Sequence, residues 1–113
     1  MNGRGKKQKG KRGEREAAQV LRSFGYSAKR GMSFLGEPDI VTDFPMHVEV
    51  KYQERLNIFA ALAQAEQYVV DKCWDRPYCV VFRKNEGEWH IALPLDFLLT
   101  AVQDVREDIK QDE

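Results

Sequence analysis

The spacing of apolar side chains predicts a helix near the start of the chain. Four of them recur at intervals of three and four residues, which places them on one helix face. They are Ala17, Val20, Leu21 and Phe24. Gly25 follows, and helices commonly end at a glycine in this position. We therefore expect an amphipathic helix over residues 13–24.

The next segment has the pattern of three short strands. Residues 26–30 and 38–42 are strand-like stretches on either side of a loop at 31–37. A turn at 43–45 leads into residues 46–52, where polar and apolar side chains alternate. Because successive side chains of a strand point to opposite faces, this third strand should have one polar face.

The second half of the chain predicts two more helices around a β-hairpin. Asn57 can cap a helix running to Lys72. Its expected buried stripe is Ile58, Ala61, Leu62, Ala65 and Val69. Residues 78–83 and 89–93 flank a polar stretch and form the hairpin. Pro94 opens a last helix whose expected buried stripe is Leu95, Leu98, Leu99, Val102 and Val105.

The element order is therefore αβββαββα, which predicts an α/β fold (an α+β sandwich) with a central mixed sheet. A chain of 113 residues is long enough for one such domain and too short for two. Residues 1–12 lack the apolar side chains that folding requires, so we expect a flexible basic arm there. The domain then spans residues 13–105, and residues 106–113 form an acidic tail.

The charge is balanced in total and strongly uneven along the chain. Lys and Arg number 18, as do Asp and Glu. Ten basic and two acidic side chains fall in residues 1–30, against eight and sixteen in the rest. A basic segment on an acidic body is typical of a protein that contacts nucleic acid.

Other features of the composition narrow the functional classes. No apolar run approaches the roughly 18 residues that span a bilayer, so no membrane association is expected. No signal peptide is apparent, and a cytoplasmic location is the default. Cys73 and Cys79 stand without nearby histidines, which makes a zinc site an unfavourable interpretation.

Three charged side chains around the predicted turn suggest a chemistry. If the turn at 43–45 joins two antiparallel strands, Asp39 faces Glu49, and Lys51 projects to the same face. Two carboxylates can bind a hard divalent cation, and an adjacent ammonium suits phosphodiester hydrolysis. The alternative is a surface salt bridge. His47 shares this face and is expected to be an exposed histidine, with an acid, base or ligand role as the alternative.

Glu14 could add a third carboxylate. It lies about 50° from the centre of the first apolar stripe, so it points inward and needs compensation from Arg30 or from a shared metal ion. The alternative is that Glu14 only favours the helix N-terminus through the dipole.

These residues resemble a known group of nucleases. Pro38-Asp39, nine intervening residues and Glu49-Val50-Lys51 resemble the signature of the PD-(D/E)XK nuclease superfamily. The run from Lys9 to Glu16, then Phe24-Gly25-Tyr26 and Arg30, resembles archaeal-type Holliday junction resolvases. Small phage-encoded nucleases of that group are similar through further motifs, among them Glu54 to Asn57 and Ala63 to Glu66.

The resemblance implies a restriction-endonuclease-like core and a Mg²⁺-dependent endonuclease, with Mn²⁺ able to substitute, usually a homodimer that cuts four-way DNA junctions or other branched DNA. Glu14, Asp39, Glu49 and the Val50 carbonyl would bind the metal, and Lys51 would be the catalytic lysine. A glutamine of relatives that helps to order water or substrate matches Gln64, although a solvent-facing glutamine is an equal alternative. The DNA-contacting candidates are Arg4, Lys6, Lys7, Lys9, Lys11, Arg12, Arg15, Arg30 and Ser33.

Two alternatives to a junction-cutting enzyme stay open at this point. The same metal site would serve a PD-(D/E)XK nuclease with another task, such as flap trimming, nicking, restriction or packaging. A different class is a non-catalytic DNA-binding module, in which the acids form salt bridges and the basic segment binds DNA.

Overall fold

The structure, a computed structural model, describes residues 3–112 and the side chains of residues 5–112. A single 3₁₀ turn, Ser33–Leu35, precedes the second strand. The other elements are α1 (Gly3–Ser23), β1 (Ala28–Arg30), β2 (Ile40–Thr42), β3 (His47–Tyr52), α2 (Ile58–Asp71), β4 (Tyr78–Arg83), β5 (His90–Ala92) and α3 (Leu95–Asp112). This order confirms the predicted αβββαββα arrangement.

Strands β3, β4 and β5 form a mixed three-stranded sheet in that order. β3 and β4 are parallel, so the chain must cross over between them, and α2 is that crossover. β4 and β5 form the predicted antiparallel hairpin, with Val81 opposite Ile91. The predicted cap of α2 is also confirmed, because the Asn57 side chain accepts a hydrogen bond from the Ala60 N–H.

The predicted hairpin between β2 and β3 is wrong. β2 pairs antiparallel with β1 in a separate two-stranded sheet. Asp43 and Thr42 tie this pair together, since the Asp43 carboxylate accepts from the Ser27 N–H and the Thr42 hydroxyl donates to the Ser27 carbonyl. Asp39 therefore reaches β3 through its side chain, and not through a strand register that sets it opposite Glu49.

The core lies on both faces of β3. Ala17 and Ala18 of α1 pack against Val48 and the strands around it, where small side chains allow close approach. Ala61 and Ala65 of α2 pack on the other side of the sheet. The alternation in β3 therefore does not mark an exposed face, because α2 covers the polar side chains.

The predicted flexible arm is wrong for residues 3–12, which belong to α1. Lys, Arg and Gln are good helix formers, and the segment contains no proline. It also rests on the end of β3. The Lys9 ammonium lies 4.7 Å and the Arg12 guanidinium carbon 5.3 Å from the centre of the Tyr52 ring. Residues 1 and 2 lie outside the described part of the chain.

The predicted apolar stripe of α1 is partly wrong. Ala17 is buried and Leu21 partly buried, but Val20 and Phe24 are exposed, and Ala18 takes their place in the core. Gly25 has φ +98°, a conformation that glycine adopts without a Cβ penalty, so the expected helix end is confirmed within one residue.

The end of the chain also differs from expectation. α3 does not end near Val105 but continues to Asp112, and its predicted buried stripe is exposed. The helix packs on the body through Phe97 instead, whose ring lies 5.5 Å from that of Tyr78. Glu113 is outside the described residues. No helix within residues 3–112 is both long enough and apolar enough to cross a membrane.

Candidate active site

A cleft of about 650 Å³ brings the predicted catalytic residues together between α1, β3 and α2. The side chains of Asp39, Glu49 and Lys51 line it, with Glu14 from α1 and Gln64 from α2. Its other lining residues are Lys6, Lys9, Gly10, Val50, Tyr52, Gln53, Glu54 and Arg55. Sequence reasoning gave no role in the site to Tyr52 to Arg55, which follow directly on Lys51 and line the cleft beside Lys9 of α1, although it noted Glu54 and Arg55 as part of a shared motif.

Asp39 is the most strongly perturbed acid of this cleft. Its Oδ2 accepts a hydrogen bond of 2.9 Å from the Val50 N–H. Burial, and next the charge of Glu49, raise the pKa of Asp39 from 3.8 to about 7, against the lowering effects of the Val50 N–H and Lys51. Burial and the neighbouring acid therefore disfavour the charged form of Asp39, and a cation bound between the two carboxylates would relieve this cost.

Glu49 is 5% exposed and lies between two basic side chains of its own strand. Its Oε1 is 4.0 Å from the Lys51 ammonium, and its Oε2 is 3.4 Å from His47 Nε2. The period of two in β3 sets all three side chains on the face that α2 covers. Glu49 is therefore fixed in direction and largely withdrawn from water.

Glu14 is compensated by Arg30, one of the two partners expected for it. Arg30 Nε donates to Glu14 Oε2 at 2.8 Å, and both side chains are about a quarter exposed or less. The expected phosphate contact of Arg30 stays a prediction, since its side chain is still about a quarter exposed. The Glu14 charge nevertheless reaches the site, since it contributes to the raised pKa of Asp39.

The donor set fits a hard divalent cation held by two carboxylates. Within residues 3–112 no three His, Cys, Asp or Glu side chains are grouped closely enough to bind a metal ion together as they stand, and a metal-ligand role for Glu14 stays a prediction. Mg²⁺ commonly uses one or two carboxylates and keeps several waters. The Val50 carbonyl points to the same strand edge as its N–H, which faces Asp39, so it is available as a further oxygen.

The basic candidates on α1 differ in their surroundings. Lys9 already has contacts within the protein, because its ammonium lies 4.0 Å from Glu54 and also over the Tyr52 ring. Lys6 lines the cleft and is exposed. Lys7, Lys11, Arg12 and Arg15 are exposed on the same helix, whereas Arg4 lies outside the described side chains. Ser33 is exposed in the 3₁₀ turn and does not line the cleft.

The expectation of an exposed His47 is wrong. The side chain is 2% exposed, and its ring stacks on Tyr68 of α2 with 4.4 Å between centroids. Neither ring nitrogen has a hydrogen-bond partner among the described residues, although Nε2 lies close to Glu49. The sequence did indicate that His47 shares a strand face with Glu49, because the two are two residues apart. It could not indicate the burial of His47, which depends on the packing of α2 over that face.

Comparison with known proteins places the fold. No family model matches the chain, and no curated protein matches it. The solved structure of Hjc from Archaeoglobus fulgidus, described as a Holliday junction resolvase from an archaeal hyperthermophile, is similar to it. The TM-score is 0.53 with 20% sequence identity, and the match covers 75% of each chain. The fold is Hjc-like.

The likeness in fold confirms the predicted α/β architecture with a mixed sheet. At this level of identity the likeness concerns the arrangement of helices and strands, and it does not extend to the phage-encoded subgroup. The roles of Asp39, Glu49 and Lys51 therefore depend on the geometry of the cleft itself.

Proposed function

We propose that this chain is a Mg²⁺-dependent, structure-selective DNA endonuclease of the resolvase type, which hydrolyses phosphodiester bonds in branched DNA. The observation that carries this proposal is the cleft in which Asp39, Glu49 and Lys51 converge, with a raised pKa at Asp39 that calls for a cation. The Hjc-like fold supports it. The small phage-encoded group is the proposed subgroup, on the sequence motifs alone.

The residues of the cleft divide the work in this proposal. Asp39 and Glu49 hold the metal ion, and the Val50 N–H keeps the Asp39 carboxylate pointed at β3. Mg²⁺, or Mn²⁺ in its place, supplies a water of lowered pKa and polarises the phosphoryl oxygen. Lys51 stabilises the negative charge that develops at phosphorus. Glu14, held by Arg30, adds negative charge close to Asp39.

The basic face of α1 is the proposed DNA contact. Lys6 lines the cleft, and further exposed lysines and arginines lie on the same helix. Such side chains bind the phosphate backbone and carry no base-sequence information. Recognition is therefore by DNA shape. Cutting a four-way junction at two symmetric positions requires two related active sites, which makes a homodimer the proposed functional form.

The test is cleavage of a synthetic four-way junction, a linear duplex and a flap, each with Mg²⁺. We expect the junction to be cut fastest by the wild type. Asp39→Asn should bind the junction but not cut it, and Asp75→Asn, an exposed acid outside the cleft, should behave as the wild type.

The alternatives give different results in the same assay. Equal cutting of junction and duplex would point to a PD-(D/E)XK nuclease with another task, and preferential flap cutting would point to flap trimming. If neither the wild type nor Asp39→Asn cuts any substrate with Mg²⁺ or Mn²⁺ while both bind DNA, the chain is a non-catalytic DNA-binding module.

A further inference from the structure

A second pocket lies next to the candidate cleft and, among the described residues, shares none of its lining with it. Its volume of about 480 Å³ is in the range of sites that hold small molecules. The pocket adjoins the two candidate metal-binding acids, because its lining includes Pro38, which directly precedes Asp39, and His47, whose Nε2 lies 3.4 Å from Glu49. The chemistry of this side pocket comes from Glu37, His47, Tyr68, Lys72, Trp74 and Arg76.

Three aromatic rings form one wall of the side pocket. The rings of His47 and Tyr68 stack with 4.4 Å between centroids, and the Trp74 ring meets Tyr68 edge-on at 5.4 Å. Backbone and side-chain hydrogen bonds hold this wall, since the Trp74 N–H donates to the Val69 carbonyl and the Tyr68 hydroxyl donates to the Gly36 carbonyl. The wall is therefore formed before any ligand binds.

Two cations lie on this wall. The Arg76 guanidinium carbon is 4.5 Å from the centre of the Trp74 ring, and the Lys72 ammonium is 5.6 Å from the centre of the Tyr68 ring. Both side chains are exposed, and neither forms an ion pair with an acid of residues 5–112. Glu37 is the acid of the lining, and its carboxylate accepts from the Met32 N–H. The cations therefore outnumber the acid, which favours an anionic ligand.

The buried imidazole of His47 indicates that the ligand also has hydrogen-bonding groups. The side chain is 2% exposed and lines the side pocket, yet neither ring nitrogen has a hydrogen-bond partner among the described residues. Buried polar atoms are nearly always paired, so this site favours a ligand that supplies the partner. An anion with a flat, polar ring meets all three requirements: charge, stacking and hydrogen bonding.

We propose that the side pocket binds one unpaired nucleotide of the DNA substrate, with its base stacked on Trp74 and Arg76 and its phosphate at Lys72. Aromatic rings and guanidinium planes are the usual stacking partners of unpaired bases. A base inside a duplex cannot reach such a pocket unless it leaves the stack. The inference rests on the proposed function in taking DNA as the substrate, and it names the recognised feature as a nucleotide released from pairing at a branch point, beside Asp39 and Glu49.

The first experiment measures binding of single-stranded DNA to the full chain in a chelator, where no cleavage occurs. Trp74 and Trp89 are the only tryptophans of the chain, so W89F leaves Trp74 as the reporter. We expect a thymidine oligomer of about eight nucleotides to quench Trp74 emission and to saturate. An oligomer of equal length without bases should bind at least about tenfold more weakly and leave the emission nearly unchanged.

The second experiment removes the two cations of the side pocket. K72Q/R76Q in the W89F background changes two exposed side chains and should weaken binding of the oligomer by about tenfold or more. K29Q/K84Q removes two exposed cations outside the pocket and should leave the affinity nearly unchanged.

A third comparison separates stacking from charge. By fluorescence anisotropy of a labelled oligomer, W74A should lose most of the binding, whereas W74F keeps a ring and should retain most of it. Thermal unfolding checks that both variants are folded. If W74A does not fold, K72Q/R76Q and the oligomer without bases decide the question.

Several results would overturn the nucleotide pocket. They are an unchanged Trp74 emission, an equal effect of K29Q/K84Q, and equal quenching by the oligomer without bases or by inorganic phosphate, which would leave an anion site alone. Equal quenching by an oligomer of glutamate would assign the pocket to acidic peptides and would also contradict the proposal.

The nucleotide pocket and the nuclease proposal can fail separately. If the thymidine oligomer quenches Trp74 but no DNA is cut with Mg²⁺ or Mn²⁺, the pocket stands and the nuclease proposal falls. If branched DNA is cut while Trp74 emission does not respond to the oligomer, the pocket falls and the nuclease proposal stands.

Discussion

At the scale of single residues, the proposed chemistry depends on how Asp39 is held. Its carboxylate is drawn to β3 by one backbone N–H and crowded by Glu49. The identity of the acids and Lys51 could be predicted from the spacing of two short motifs. Their environment could not, because the burial of His47 and Glu49 depends on α2, and the partner of Glu14 was left open between Arg30 and a metal ion.

The raised pKa of Asp39 predicts how stability depends on pH without divalent metal. The folded-state pKa of about 7 lies above the ordinary 3.8, so the folded state binds more protons between these values. The free energy of unfolding should therefore fall as pH rises from 4 to 7, on the order of 1 kcal/mol per unit at the steepest. Urea unfolding in a chelator, at pH 5 and pH 8, measures it.

Asp39→Asn is the matched variant for this measurement. It removes the titrating group, so the fall in stability between pH 5 and pH 8 should shrink, and the variant should exceed the wild type in stability at pH 8. An identical pH dependence in both proteins would mean that Asp39 titrates normally.

Lys51→Gln should slow cleavage without loss of DNA binding. The ammonium is needed only where charge develops in the transition state, so its removal should lower the single-turnover rate by roughly 100- to 1,000-fold. Lys84→Gln, an exposed lysine outside the cleft, is the control. A loss of less than threefold for Lys51→Gln would remove this lysine from the mechanism.

At the scale of helices and strands, sequence patterns predicted correctly those elements that depend on contacts between residues close in the chain. α2 and the β4–β5 hairpin follow from their own stripes, cap and turn. The β2–β3 pairing failed because β3 instead pairs in parallel with β4, across the α2 crossover. The prediction of a flexible arm was wrong because the polar composition of this segment gave no sign of a helix. That helix contacts Tyr52, which lies 40 positions beyond Arg12.

Two glycines of α1 test that helix. A Cβ at Gly13 would lie 2.8 Å from the Tyr52 Cβ, whereas a Cβ at Gly10 would meet nothing within 4 Å. Gly13→Ala should therefore destabilise the fold by about 1–3 kcal/mol. Gly10→Ala should stabilise it by up to about 1 kcal/mol through helix propensity.

Chemical denaturation of the two variants gives both values. An unchanged stability for Gly10→Ala would indicate that residues before 13 are not helical. A stabilised Gly13→Ala would indicate that α1 does not dock closely on Tyr52.

At the scale of the whole molecule, the zero net charge results from basic and acidic residues that lie in different parts of the chain. The basic residues concentrate on α1 beside the cleft, and much of the acidic excess lies on α3. The order of charged residues along the sequence already showed this separation. It could not reveal that α1 brings Lys6 and Lys9 to the candidate cleft, because that placement depends on the docking of α1 against β3.

Removing charge from α1 should weaken DNA binding and its salt dependence together. Replacing Lys6, Lys7 and Lys11 by Gln should reduce the slope of log K against log salt by about 2–3, since each phosphate that is no longer neutralised lowers it by about 0.9. Lys29 and Lys84, exposed and outside the cleft, serve as controls that should leave the slope nearly unchanged. An equal effect of both sets would show that α1 has no special part in binding.

The most direct measurement of the central claim is single-turnover cleavage of a labelled four-way junction as Mg²⁺ is titrated, with wild type, Asp39→Asn and Glu49→Gln compared at equal DNA occupancy. We predict saturable, Mg²⁺-dependent cutting by the wild type and a loss of at least about 100-fold in both variants. Undiminished cutting by either variant, or cutting by the wild type that does not depend on divalent metal, would contradict the assignment of this cleft as a metal-dependent nuclease site.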